Sequence, residues 1–426
     1  MKTEPKLFPF VRPYYQNPLL IERAEGCRIF GADGREYLDA YAGVASVSVG
    51  HANPRVNARV IEQIGRVHHT TMIYRTHPLE TYLAALQPVL GDRLSRHFFV
   101  NSGSEAIDFA CQTSRARRGR PLIISFSEGF HGGSYLAKSV TGLPAWQPAF
   151  GGDRDVYFHP IDSCRTCEES RFDPRAKRFS PLNLDCSARC LESLEKLLRI
   201  RSREAAAVLV EPILGVGGIL TPPKGFFRRL TALCDTADLD LICDEVQTGF
   251  GRCGGSLFAF QQVGLEPDLL CLAKGIANGF PLGLVSGTED VVQGVAEKLH
   301  FSTFGGNPVS CAAADETLKI ILEDHLPDRA AAVGEHFMAG LSESLCDIDG
   351  VVEIRGLGLM IGLELADSSA AVRVHENAYR RGLLLGLGGR RRNTIRIEPP
   401  LIFTMADADH ALDLLTSAVR EETGRA

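Results

Sequence analysis

No stretch of this chain holds the roughly 20 consecutive apolar residues that a bilayer crossing needs, so a membrane-spanning helix is not expected. The opening residues, MKTEPKLFPFVRPYYQ, lack both the apolar core of an export signal and the Arg/Ser-rich amphipathic pattern of an organelle leader, which gives the expectation of a cytoplasmic protein. Strong charge is missing as well. A formal net charge of −6 over 426 residues offers no bulk attraction to nucleic acid or to an anionic membrane, and the arginine runs at 117–120 and 390–392 are locally offset. Internal repeats and low-complexity tracts are absent too. What remains is ordinary globular material, 45% hydrophobic, enough to bury a sizeable core.

Without an export signal, twelve cysteines do not read as a disulfide framework, and most sit as small apolar residues in stretches such as LICDEV and LLCLAKG. Cys164, Cys167, Cys186 and Cys190 differ: they lie in a polar segment as C-x2-C followed by C-x3-C. That spacing can close a tetrahedral thiolate site on zinc; it is equally the pattern of a surface insertion with free thiols or a disulfide.

Apolar runs at 97–100, 121–126, 206–213, 239–246 and 267–275 alternate with helical patterns at 104–117, 191–203 and 224–236. This alternation predicts an α/β fold built on a mostly parallel sheet. The polar stretch 151–190 is too long for a simple connection and is taken as an insertion. Beyond residue 313, long amphipathic helices around 326–346 and 370–382 alternate with short strands at 358–365 and 394–400. The expected organisation is therefore an N-terminal segment 1–46 packed on a small α+β domain 313–426, with a large domain over 47–312.

Ligands of parallel sheets gather outside the carboxyl ends of the strands, so the residues following each strand draft the site. After FFV, the turn Asn101–Ser104 opens a helix whose free amides suit an anion, or form an ordinary serine cap. The next strand is followed by Phe130 and His131 between glycines, which suits stacking on a flat ligand. Glu211 ends the third. Asp244 and Glu245 stand side by side after LDLIC, and two carboxylates where a sheet is dry call for a cationic partner or an exit to solvent. Lys274 closes the last apolar run between Ala273 and Gly275, small neighbours that let another body approach. Pyridoxal phosphate answers all of these together: a lysine for its Schiff base, an acid for its pyridinium nitrogen, a phosphate turn and an aromatic ring.

With those residues assembled, the sequence resembles the class III pyridoxal-phosphate aminotransferases of fold type I. The resemblance runs from GADGREYLDAYAGVASVSVGHANPRV through NSGSEA, FHG, EP, DEVQTGFGR and AKGIANGFPLG to STFGGNP and RGLGLMIGLEL. Within that family the alanine–glyoxylate aminotransferase 2 subgroup shares the SVSVGH phrase and a cysteine-bearing insertion. The resemblance implies that Lys274 carries the cofactor and Asp244 faces its ring nitrogen. It places Val246 and Phe130 on the two ring faces, with His131 and Glu211 beside them and Gln247 toward the ring hydroxyl. The phosphate goes to Gly103 and Ser104, with Thr303 supplied by the neighbouring subunit of a homodimer. Arg396 matches the arginine that holds a substrate carboxylate, and Tyr41, Tyr74, Arg75 and Trp146 fall in pocket-lining segments.

One departure bears on substrate. Many members follow EPIQG with a glutamate that gates the carboxylate arginine, whereas this chain reads EPILGVGG, with Leu214 and Val216. Arg396 is therefore expected to be available, and an α-amino acid such as alanine is expected for at least one half-reaction, with a 2-oxo acid, aldehyde or ketone as acceptor. The same scaffold also supports a lyase, a decarboxylase or an epimerase. From a different class, a cofactor-binding regulator could use 151–190 as its interface.

Overall fold

The computed structural model describes residues 14–161, 164–169, 172–178, 186–295, 297 and 299–423. Its centre is a seven-stranded sheet in the order Arg96–Val100, Gly283–Gly287, Leu269–Leu272, Asp240–Asp244, Ala205–Val210, Leu122–Phe126, Val156–His159. Gly283–Gly287 runs antiparallel to both neighbours, and every other pairing in this sheet is parallel. The mostly parallel α/β architecture expected from the alternating runs is what the chain adopts.

The strand Asp240–Asp244 shows why these segments read as continuous apolar runs. Helices cover both faces, so no position faces water. Leu241 and Cys243 pack in the cluster containing Phe226, Leu230 and Cys234 of the helix Lys224–Ala237. Ile242 packs in the opposite cluster, with Ala106, Ile107 and Ala110 of the helix Gly103–Arg118. Each such aliphatic side chain removed from water contributes about 1.5–3 kcal/mol. Arg118 Nε, in that helix's last turn, donates to Asp240 Oδ1 at 2.7 Å, and Arg117 also pairs with Asp240, tying the helix end to the strand start. The helix stops at Gly119, which takes a left-handed conformation at φ 62.

Two four-stranded sheets flank this body. One joins Ile21–Glu25, Arg28–Gly31 and Glu36–Asp39 to Leu383–Leu384, and the other orders Val351–Leu357, Met360–Leu365, Thr394–Ile397, Gly386–Gly388. The stretch 151–190 is not wholly an insertion. Val156–His159 pairs in parallel with Leu122–Phe126 and forms an edge of the central sheet.

Candidate active site

The parallel strands deliver their following residues to one edge of the sheet. Asn101–Ser104, Phe130–Gly132, Glu211, Asp244, Val246, Gln247 and Lys274 line a cavity there of about 290 Å³, closed further by Ser46 and Gly279–Leu282.

Lys274 follows the strand Leu269–Leu272 and sits at φ 48, a left-handed conformation that costs a non-glycine residue of order 1 kcal/mol or more. Its side chain is only partly covered because it opens on the cavity, yet the surrounding protein still disfavours the ammonium. Burial lowers its pKa and the Arg396 guanidinium adds to the effect, against the opposing carboxylates of Glu398, Asp244 and Glu211.

Asp244 is buried, with Oδ2 at 2.7 Å from His131 Nδ1 and Oδ1 accepting the Val246 amide at 3.0 Å. His131 is fixed from other sides: its amide donates to Thr141 Oγ1 at 2.9 Å, and Nε2 lies 3.3 Å from Ser125 Oγ. Glu211 accepts the amides of Phe130 at 2.8 Å and Gly215 at 3.0 Å, so it sets the loop that carries the aromatic ring. Burial pushes the Glu211 carboxyl up to about 7, with His131 pulling against and Asp244 pushing further. The neighbouring acid takes the other role. Glu245 does not line the cavity; it accepts from Thr248 Oγ1 and the Phe260 amide, each at 2.5 Å, and burial raises it to about 7.

At the helix start, Ser102 Oγ accepts from the Glu105 amide at 3.2 Å and leaves the amides of Gly103 and Ser104 without a side-chain cap. A Cβ on Gly103 would stand 2.7 Å from Val246 Cγ1, so glycine alone lets this helix end approach that side chain. Ser104 Oγ accepts from the Gly133 amide at 2.8 Å, which binds the helix start to the Phe130 loop.

A model of the family described as aminotransferase class-III matches residues 10–419. The chain belongs to the class III aminotransferases. Mitochondrial alanine–glyoxylate aminotransferase 2 of Homo sapiens is 33% identical, over 98% of this chain and 85% of its own length. Acetylornithine aminotransferase of Methanothermobacter thermautotrophicus is also 33% identical, over 96% of each chain. An amine transaminase from an uncultivated Pseudomonas species, solved in its PLP-bound form, superposes with a TM-score of 0.89 at 28% identity over 100% of both chains. Family membership makes this protein an enzyme, a transferase of nitrogenous groups, and sets aside the reading as a mere binding scaffold. Among the described residues of this class III enzyme, no helix is long and apolar enough to cross a membrane.

The other residues expected at the site are placed unevenly. Arg396, in the strand Thr394–Ile397, is buried and donates through Nη1 to Tyr41 Oη at 3.2 Å. Trp146 does not line the cavity but meets the Phe130 ring edge-on, with centroids 5.1 Å apart. Tyr74 is exposed and is not among the lining residues, and Arg75 pairs with Glu80 at the surface. Thr303 is exposed and absent from the cavity of its own chain.

The zinc expectation finds no support: among the described residues no three of His, Cys, Asp and Glu are placed to hold a metal ion. Cys164, Cys167, Cys186 and Cys190 line a separate cavity of about 480 Å³, beside Phe226, Glu353 and Arg355. That cavity is larger than the one at the strand ends, but it holds none of the residues that converge there.

Arg396 was expected to be available because Leu214 and Val216 stand where many members carry a gating glutamate; an acid from another position meets it. Glu398, two residues further along, brings Oε2 to 2.8 Å from Arg396 Nη2. Residues two apart on a strand project to one face, so Ile-Arg-Ile-Glu carried a signal for this pair in the sequence itself.

Proposed function

We propose that this aminotransferase uses pyridoxal phosphate to move an amino group from a donor, an α-amino acid such as alanine in one half-reaction, to a 2-oxo acid, aldehyde or ketone. The observation that carries this reading is Lys274, a lysine of lowered pKa in strained backbone at a strand end, sharing one cavity with Asp244 and with a helix start at Gly103 and Ser104. The residues present fit the cofactor. Asp244, already oriented by His131, suits a cationic ring nitrogen, and the free amides of Gly103 and Ser104 suit a phosphate. Phe130 and Val246 suit the two faces of a flat ring, with Gln247 beside its hydroxyl.

When bound, pyridoxal phosphate supplies an electron sink for the carbon bearing the amino group. Lys274 does the proton work. With its ammonium disfavoured, Lys274 Nζ would hold the cofactor at rest and, once displaced by the donor's amino group, would stand as the free amine that takes the proton from the donor's reacting carbon and hands it on to the cofactor. Glu211 keeps the Phe130 loop in place through its two amide contacts, and Arg396, held by Tyr41, is the group for a substrate carboxylate.

Thr303 in its own chain lies outside the cavity, which supports a two-fold homodimer in which each subunit's Thr303 completes its partner's phosphate cup. Exposed Ile73, Tyr74, Phe301 and Phe304 are apolar side chains that such an interface would cover.

The test is spectroscopic titration of the holoenzyme with L-alanine, β-alanine, L-glutamate, L-ornithine and an amine without carboxylate. A donor should convert the cofactor stoichiometrically to its amino form, and glyoxylate or pyruvate should restore it. Lys274→Ala should lower turnover by about 10³-fold or more and remove the visible band of the lysine-bound cofactor. Spectral change on adding donor with no accumulation of the amino form would overturn transamination in favour of a lyase, decarboxylase or epimerase.

A further inference from the structure

We propose that Asn278 is a positioning residue of this enzyme, an amide clamp that fastens the strained turn carrying Lys274 to the backbone of Val49 and Gly50 and so fixes where Nζ stands in the cavity. This deepens the proposed transamination and rests on it for the role of Lys274 alone.

Two left-handed segments meet beside the cavity. Lys274, at φ 48, opens a short 3-10 turn over Lys274–Ala277 that ends on Asn278, itself left-handed at φ 49 and ψ 43. Packed against that turn, Ala42, Gly43, Val44 and Ala45 all have positive φ, from 49 to 67. Backbone of this kind persists only where its surroundings over-determine it. Ser46, directly after the second segment, lines the cavity together with Lys274 and Gly279.

Asn278 supplies the tie between them. The Val49 amide donates to its Oδ1 at 2.9 Å, and its Nδ2 donates to Gly50 O at 3.0 Å. One short side chain thus matches a donor and an acceptor of adjacent residues, and asparagine also takes a left-handed backbone more readily than most residues. The segments touch again just after the lysine: Ser48 Oγ donates to Gly275 O at 3.3 Å, and a Cβ on Gly275 would stand 2.5 Å from that hydroxyl. The strip 48–51 that takes the clamp is itself fixed. The Leu401 amide donates to Ser48 O at 2.7 Å, Asn53 Nδ2 to Val49 O at 2.9 Å, and Gly26 and His51 exchange backbone bonds at 3.0 and 2.9 Å. Behind the turn, Ile276 and Ala277 are fully buried and the helix Pro308–Glu323 packs against it.

A lysine stem is long and rotatable, so the reach of Nζ depends on where the backbone holds its Cα. Nζ has to meet both the carbon that loses the proton and the cofactor that takes it, and a displacement of about 1 Å can lower turnover on the order of 100-fold. Asn278 does not line the cavity; it acts through Lys274 and leaves the binding of the donor alone.

The test pairs steady-state kinetics of the holoenzyme, with whichever donor of the panel is turned over, with the pH profile of Lys274 acetylation by acetic anhydride in the full chain freed of cofactor, read by peptide mass spectrometry. Asn278→Gly keeps the left-handed backbone and removes both side-chain bonds. It should lower kcat on the order of ten-fold and change KM by less than about two-fold. The acetylation midpoint should rise by about half a pH unit or more, because a looser turn lets Nζ leave the buried position that disfavours its ammonium. Asn278→Asp keeps the Val49 contact but sets a carboxylate oxygen against the Gly50 carbonyl, and should lower kcat about three-fold or more. Asn53→Ala loosens the same strip without touching the Lys274 turn, and should leave the midpoint in place and kcat within about two-fold. The proposal is overturned if either kcat or the midpoint is unchanged in a folded Asn278→Gly, or in the aspartate variant if the glycine variant does not fold, or if Asn53→Ala loses kcat to the same extent. Failure of the parent chain to transaminate would sink the proposed function, and the acetylation midpoints would then decide the clamp by themselves.

Discussion

Glu245→Gln isolates the energetic consequence of placing two acids at one strand end. Glu245 has an ordinary value of 4.5 and is pushed up to about 7 by burial, against the Thr248 hydroxyl and the Phe260 amide. Between those two pH values the folded chain keeps a proton that the unfolded chain has released, so stability falls as pH rises through the window. Below 4.5 both states are protonated and nothing is lost; above 7 the whole cost is present. A pKa difference of about 2.5, from 4.5 to about 7, at about 1.4 kcal/mol per pH unit, amounts to about 3 kcal/mol. Glutamine is neutral at every pH and can keep both contacts, donating from Nε2 to Thr248 Oγ1 and accepting the Phe260 amide at Oε1. At about 2.1 cal/mol/K per residue the 426-residue chain unfolds with an entropy of about 0.9 kcal/mol/K, so 3 kcal/mol corresponds to about 3 °C. The variant should therefore match the parent near pH 4.5 and melt about 3 °C higher at pH 8. Differential scanning fluorimetry across that range checks it. Glu211 titrates in the same window in both proteins, so the difference between them belongs to Glu245. Equal or lower melting of the variant at pH 8 would refute the claim that Glu245 is a buried acid outside the chemistry.

The helix start and the thiols are open to similar tests. Gly103→Ala puts a Cβ 2.7 Å from Val246 Cγ1, which should cost about 1–3 kcal/mol of stability and weaken phosphate binding; adding Val246→Ala should recover most of the stability, read by melting and by inorganic phosphate titration. Exposed Cys167 and Cys346 should alkylate first at neutral pH, while Cys164, pushed up to about 12 by burial, should react much more slowly; peptide mass spectrometry after timed iodoacetamide exposure orders them.

The strands and helices that form the site were legible because each is a local pattern. Five buried runs, bounded by turns and alternating with amphipathic stretches, are enough to announce a parallel sheet, and the residue after each run needs no long-range information to be named. Two strands of the central sheet escaped for local reasons. Gly283–Gly287 begins and ends in glycine and reads as loop, and Val156–His159 is short and embedded in a polar stretch. The spacing of the four cysteines spoke for a metal because spacing along the chain says nothing about where four thiols point.

The sequence by itself determined the inventory: a lysine, an acid, an aromatic ring and a glycine-led helix, each at the end of its own apolar run. Partnership was decided only by the tertiary structure, since it depends on which distant segments the sheet brings together. His131 reaches Asp244 across 113 residues, Gln247 reaches Glu398 across 151, and Tyr41 reaches Arg396 across 355. The two adjacent acids parted for the same reason. Successive side chains of a strand turn opposite ways, so one step of the chain sends Asp244 to the cavity and Glu245 into the packed interior, where burial raises its pKa to about 7.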